Sequence, residues 1–289
     1  WGVRKMIRID SRINGEPLAE IESDTLIGAD LRELDLSGAN LRGKDLSRAS
    51  FWNSDLSDAD LSGACLTQAR LQGANFSGAI LSGANLSSTR MGAEKRSGAA
   101  VFDKADLRGV NLSGAYMVNA SMRNAILDEA YMCHADMRGT DFHGSSMRGI
   151  IARRALFINA NLGDADLREA DFRDSHLNDS NLRGSNLQGA DLSSMRPEGF
   201  TVLNLAKLDN ADLSNANLHR MLAEDASFRY AKLTGADLSG AVLSGSIFRR
   251  AEVAGANFED VELATVTLEY ADFSKAIGAD IPSYKEHVR

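Results

Sequence analysis

The sequence predicts an all-β solenoid, a parallel β-helix of square coils, and three observations carry that prediction. Large apolar residues recur at every fifth position over most of the 289 residues. A small residue, most often alanine, stands two positions before each of them, as at Ala29, Ala39, Ala74, Ala105, Ala165 and Ala236. Glycine often stands two positions after, as at Gly28, Gly38, Gly63, Gly109 and Gly240.

The period runs from Leu26 to Met91, resumes one residue out of phase from Phe102 to Leu192, and shifts again to run from Leu203 to Phe273. Ala152 and Ala223 are its weakest central positions. An α-helix turns by about 100° per residue, so leucines five apart would scatter over every face. A straight strand alternates faces at each residue, so they would point alternately up and down. The period is satisfied when the chain turns a corner in every unit and four units close a square coil of 20 residues, each central leucine pointing to the axis. Alanine two positions earlier fits the narrow interior. Glycine two positions later supplies the positive φ that tight turns demand, and Asp or Asn beside the corner can bond turn backbone. Coils stacked at about 4.8 Å give about twelve coils and a length of roughly 58 Å.

Units such as Ala29-Asp30-Leu31-Arg32-Glu33, Ala74-Asn75-Phe76-Ser77-Gly78 and Ala236-Asp237-Leu238-Ser239-Gly240 resemble the pentapeptide-repeat family, over about residues 24–280. The resemblance implies a right-handed quadrilateral β-helix; the hand comes from the family. The members best understood resemble a DNA duplex in shape and charge, bind type II topoisomerases and protect them from quinolones or toxins. DNA gyrase or topoisomerase IV is the partner this implies.

The expected organisation is an N-terminal β-hairpin cap over 1–23, the β-helix over 24–280, and a C-terminal cap or tail over 281–289. Met6–Ile9 and Leu18–Ile21 flank Asn14-Gly15, a hairpin-turn signal, and an open coil end needs a cover because its backbone is unpaired. The phase shifts fall in 92–101 and 193–202, which read as projecting loops; Glu94, Lys95, Arg96, Arg196 and Glu198 are their candidate contacts, since quinolone-resistance members carry two such loops. Lys44 and Leu34 occupy inward slots meant for small residues, and burying a lysine is costly, so a local bulge or a weakened coil is expected there.

With 40 acidic and 32 basic side chains the net charge is −8, against direct nucleic-acid binding, which needs a basic footprint. Two cysteines, Cys65 and Cys133, far apart in sequence, indicate neither a disulfide framework nor a zinc site and point to the cytoplasm. No apolar run long enough to span a membrane occurs. His134, His143 and His176 fall in separate outward positions with no nucleophile or metal spacing; no cofactor is expected.

Outward columns can be read at intervals of 20. Asp35, Asp55 and Asn75 form an acidic one. Arg148 with Arg168, and Arg153 with Arg173, form basic pairs. Val202, Leu222 and Val242 form an apolar stripe, and Tyr131 with Ile151 a second, of the kind that marks protein interfaces. The expected function is a non-catalytic scaffold that binds a protein partner or a second copy of the chain, with a gyrase-protecting DNA mimic as the alternative.

Overall fold

A computed structural model describes residues 5–194, 196 and 199–288, with the backbone alone for 286–288. Two compact units meet in sequence at Ser145 and Ser146, and each is described by itself.

In both units one hydrogen-bond pattern repeats. The central residue donates its N–H to the chain one coil on, as Leu31 does to the Ser50 carbonyl (2.8 Å), and Ser50 returns a bond to the Ala29 carbonyl (2.9 Å). The resulting parallel bridges join the residue before each centre to its counterpart 20 residues away, as in Asp35 to Asp55 and Val202 to Leu222. Each corner is closed by a further bond from the small residue to the preceding centre, Ala39 to Leu36 at 3.0 Å being one. Gly38, inside that turn, has φ +64°, the left-handed value a type II turn requires there. The predicted glycine role therefore holds, but Glu33, Arg48, Asn53, Leu205 and Tyr270 adopt the same conformation with φ between 56° and 62°. Asn tolerates it; leucine and tyrosine are strained by it.

The interior is the predicted ladder. Leu31, Leu36, Phe51 and Leu56 in the first unit, and Leu162, Leu203, Phe228 and Leu238 in the second, are fully buried. The two weak centres, Ala152 and Ala223, are fully buried as well. Phe76 stacks on Phe102 at 4.7 Å between centroids, and Phe228 on Phe248 at the same distance. At several sites where serine or threonine replaces the inward alanine its hydroxyl bonds a carbonyl of the same wall, as Ser145 does to Phe142 (2.7 Å) and Thr140 to Met117 (2.8 Å), whereas the buried hydroxyls of Ser180 and Ser246 have no partner among the described residues.

Each phase shift is an insertion of six residues: the bridge spacing of 20 becomes 26 at Asn75–Val101 and again at His176–Val202. The first insertion is anchored at its start to the coils that follow, while residues 94–97 stay exposed. Gly92 and Ala93 donate to the carbonyls of Tyr116 (2.9 Å) and Val118 (3.0 Å), and the Asn119 amide donates to those of Ala93 and Glu94 (3.0 and 3.1 Å). Gly92 lies so close to the Val118 backbone that no Cβ fits. A short 3-10 turn, Arg96–Gly98, follows. The reason for folding back is that buried backbone groups must be paired, and the coils alongside offer partners.

At the N-terminus β1 (Met6–Asp10) and β2 (Pro17–Glu22) pair antiparallel. The turn spans more than Asn14-Gly15, with Gly15 at φ +72° and its N–H bonded to the Ser11 carbonyl. The hairpin bonds the first coil: Asn40 donates to Asp10 and Arg12 to Gly38, both at 2.8 Å, and Ile9 is buried. No bulge forms at Lys44. Its backbone keeps the ladder (Cys65 N–H to Lys44 carbonyl, 2.9 Å) while its side chain is exposed. The position 20 residues earlier is Asp24, itself exposed, so nothing closes over the lysine. Leu34, likewise in the first coil, is half-buried. At the other end a 3-10 turn, Ser283–Val288, returns to the final coils: Tyr284 donates its hydroxyl to the Ala264 carbonyl (3.0 Å) and Lys285 its ammonium to those of Leu263 and Val266 (2.9 and 2.7 Å).

Replacing Phe76 by alanine removes a fully buried ring and its stacking partner, and should lower unfolding stability by about 3–5 kcal/mol. Chemical denaturation monitored by circular dichroism checks this; a shift under about 1 kcal/mol would mean that the ring is not packed as described.

Candidate functional site

Functional chemistry here has to be sought on the outside, because the interior is filled. Among the described residues no group of three His, Cys, Asp or Glu is placed to hold a metal ion. His134 and His176 are exposed and His143 is half-buried. No helix among the described residues is long and apolar enough to cross a membrane.

The aspartates of the surface serve the corners first. Asp35 accepts the Ser37 N–H (3.0 Å) and hydroxyl (2.7 Å), and those two bonds hold its carboxyl below the usual range. The Asp35–Asp55 column forms as expected, with the Asn75 amide donating to Asp55 (3.0 Å), but the next bridged position is Val101. The column is acidic over two coils only.

A second arrangement was hidden in the sequence reading. Where arginine follows an aspartate by two positions, its guanidinium folds back onto that carboxylate: Arg108 on Asp106 (2.5 Å), Arg138 on Asp136 (2.6 Å), Arg168 on Asp166 (2.5 Å) and Arg173 on Asp171 (2.6 Å). Arg153 also reaches Asp171 (2.6 Å), and Arg148 approaches Asp166 (4.0 Å). The expected basic pairs are therefore neutralised locally. Bonds from Arg32, on the same pattern, lower the Asp30 carboxyl to about 2, well below the usual carboxylate range. At Asp171 burial pushes the carboxyl up, and bonds from Arg173 and Arg153 outweigh it and bring it down.

The loop candidates divide. Glu94 and Lys95 are exposed, whereas Arg96 is drawn to the Gly139 carbonyl (3.3 Å) and to Asp141 (3.7 Å). Arg196 approaches Asp174 (3.7 Å), whose other oxygen accepts the Ser194 hydroxyl (2.5 Å). Asp174 is almost fully buried and lies 3.9 Å from Arg154. It pins the second insertion. Glu198 lies outside the described residues.

The apolar residues read as one column in the second unit lie on one ladder. Val202, Leu222 and Val242 are bridged in successive coils, the first two half-buried and Val242 exposed. Leu205, at the strained corner beside it, is 51% exposed, and Phe200 lies exposed beneath Arg220 (5.8 Å to the ring centre). In the first unit Tyr131 is exposed, next to exposed Ile126; in the second, Ile151 is half-buried.

Two features were missed. In the second unit Arg250 lies between the rings of Tyr230 (5.7 Å) and Tyr270 (5.3 Å), all three at corners 20 residues apart. In the first, Arg32, Ser50, Trp52, Arg70, Gln72 and Arg90 line a surface groove of about 520 Å³. The interval of 20 could have found both.

Two outcomes test this site. A carboxyl held at about 2 stabilises the fold fully above the unfolded value near 3.8 and loses that contribution as pH falls through 2. The melting temperature should therefore rise from pH 2 to pH 4 and flatten above; a flat profile across that window would contradict the Asp–Arg pairing. Asp174→Ala should release the second insertion and speed amide exchange at residues 193–201, with exchange at residues 92–101 unchanged.

A sequence profile described as pentapeptide repeats matches in eight copies, over residues 25–92, 100–194 and 206–245. No curated protein matches the sequence significantly. Among solved structures the chain is similar to HetL, a pentapeptide repeat protein involved in heterocyst differentiation regulation from the cyanobacterium Nostoc: 25% identity over 84% of this chain and 92% of that one, TM-score 0.42. It is also similar to full-length QnrB1, a plasmid-mediated fluoroquinolone resistance protein, at 18% identity over 90% and 92%, TM-score 0.28. A pentapeptide repeat protein of the Arabidopsis thaliana thylakoid lumen shares 30% identity over 45% of this chain and 72% of that one, TM-score 0.21. With the profile covering more than half its length and the five-residue coil geometry throughout, the chain belongs to the pentapeptide-repeat family, and its fold is the right-handed quadrilateral β-helix of that family.

Proposed function

We propose that this protein is a non-catalytic interaction scaffold that presents a fixed surface to a protein partner. The observation that carries the reading is the apolar stripe of the second unit. Val202, Leu222 and Val242 stand one coil apart on a ladder that holds them rigid, with Phe200 and Leu205 extending the patch. A preformed apolar surface loses little conformational freedom on binding, and contiguous exposed apolar area is uncommon unless it is used. The occupant is a protein partner, a second copy of the chain included. The division into a hairpin cap over 1–23, a β-helix over 24–280 and a C-terminal cap over 281–289 is part of this proposal, supported by the bonds that both ends make to their neighbouring coils. The compartment is proposed as the cytoplasm, on the low cysteine content.

The second reading is a DNA mimic that protects DNA gyrase or topoisomerase IV. Its support is the family and the net charge of −8. It asks for an unbroken negative face, and the Asp35–Asp55 column passes to Asn75 and Val101 while other aspartates are neutralised by arginine. The scaffold reading is preferred on that ground.

Changing Leu222 and Val242 to aspartate should abolish self-association in sedimentation velocity, or retention of partners in a pull-down, with the circular dichroism spectrum unchanged. Identical sedimentation and an identical set of retained proteins would remove the stripe from consideration. Relief of quinolone-induced cleavage by purified gyrase would instead establish the second reading.

A further inference from the structure

One rule recurs among the arginines of this surface, and Arg70 and Arg90 are among those that fall outside it. The rule places arginine just after the central residue and aspartate just before it, so that each guanidinium is neutralised inside its own unit, as in Asp30-Leu31-Arg32 (2.7 Å) and Asp106-Leu107-Arg108 (2.5 Å). Arg70 and Arg90 instead stand just before Leu71 and Met91, in the slot that other units give to aspartate. They are bridged to each other in adjacent coils. Both are exposed, and among the described residues neither makes an ion pair or a side-chain hydrogen bond.

Parallel ladder neighbours stand about 4.8 Å apart, and like charges placed side by side across strands are destabilising. The fold cannot relax that repulsion by moving one coil, because the backbone ladder fixes both positions. An anion bound between the two would remove it. The surroundings are those of a binding surface. Trp52, 44% exposed, shares the groove with both arginines, with Gln72 and with Arg32. Tyr116, next along the ladder after Arg90, is 37% exposed. Tryptophan, tyrosine and arginine are the side chains that dominate interface hot spots, and the guanidinium fork matches a carboxylate in two parallel bonds.

We propose that this side of the first unit is a docking face for an acidic segment of a partner protein, with carboxylates seated on Arg70 and Arg90 and an apolar or aromatic side chain against Trp52. The extent of the charge decides for a peptide over a nucleic acid. Along the ladder the order is Asp30, Ser50, Arg70, Arg90, Tyr116, Asp136, so the uncompensated positive stretch is two coils, bounded by Ser50 and Tyr116 and then by Asp30 and Asp136, each paired with its own arginine. Two phosphates neutralised there contribute too little for a polyanion to bind against a net charge of −8, whereas one or two carboxylates and a ring fit the groove. The face lies in the unit that does not carry the apolar stripe, so it stands or falls independently of that stripe.

The test is fluorescence anisotropy of a fluorescein-labelled Glu-Glu-Phe-Glu-Glu-Phe peptide titrated with the full chain at low salt. Saturable binding is expected. R70E/R90E should weaken it about tenfold or more, the loss of two charge-assisted contacts, R70Q/R90Q should weaken it less, and W52A should weaken it with all arginines present. R48E/K104E changes the net charge equally at two other exposed positions of the same unit and should leave the affinity within about twofold. Circular dichroism verifies that each variant is folded. Absence of saturable binding, equal weakening by R48E/K104E, or tighter binding of a twelve-nucleotide oligothymidylate than of the peptide would each overturn the proposal, the last assigning the face to single-stranded nucleic acid.

Discussion

Everything in this protein depends on the backbone ladder that joins each residue to the one a coil further on. Because the ladder runs in parallel register, with bonds between 2.6 and 3.1 Å at nearly every corner, it stacks like position on like. The leucines become a column inside, the corner residues become columns outside, and a side chain's neighbours are set by arithmetic. The same ladder explains the insertions. Six residues looped out between two corners leave every bond above and below in phase, whereas one extra residue within a side would turn the core outward.

The ladder also fixes the strain. Each corner holds one residue at positive φ, and many of those residues have a Cβ. For Asn and Asp the local cost is small. For Leu205, Tyr230 and Tyr270 it is of order 1 kcal/mol or more each, and these bulky side chains are exposed, so core packing does not repay them. Tyr230 and Tyr270 regain part of it by packing on Arg250.

Charge on this surface is organised by short range. An aspartate just before the centre accepts corner N–H groups, and where an arginine stands just after the centre it caps the same carboxylate, so those charges are cancelled within a few ångströms. Reading the columns as separate acidic and basic stripes overlooks this, because residues two apart along one unit are closer partners than the column pattern implies. Arg70 and Arg90 stand out only against that background. The loop arginines Arg96 and Arg196 are exposed and at the same time lie 3.7 Å from the buried aspartates Asp141 and Asp174.

The sequence by itself determined the coil, its period, its inward residues and the places where the phase slips, because a five-residue repeat has one way to bury every fifth side chain. It also determined which residues share a column, since Val202, Leu222 and Val242, or Arg70 and Arg90, are separated by the length of one coil. Only the tertiary structure decided how the insertions lie, why Lys44 escapes the core without a bulge, and which charges are spent within the fold. Those outcomes depend on hydrogen-bond partners far apart in sequence, such as Arg96 with Gly139 and Asn119 with Ala93, and no local pattern encodes a contact between a loop and the coils that follow it.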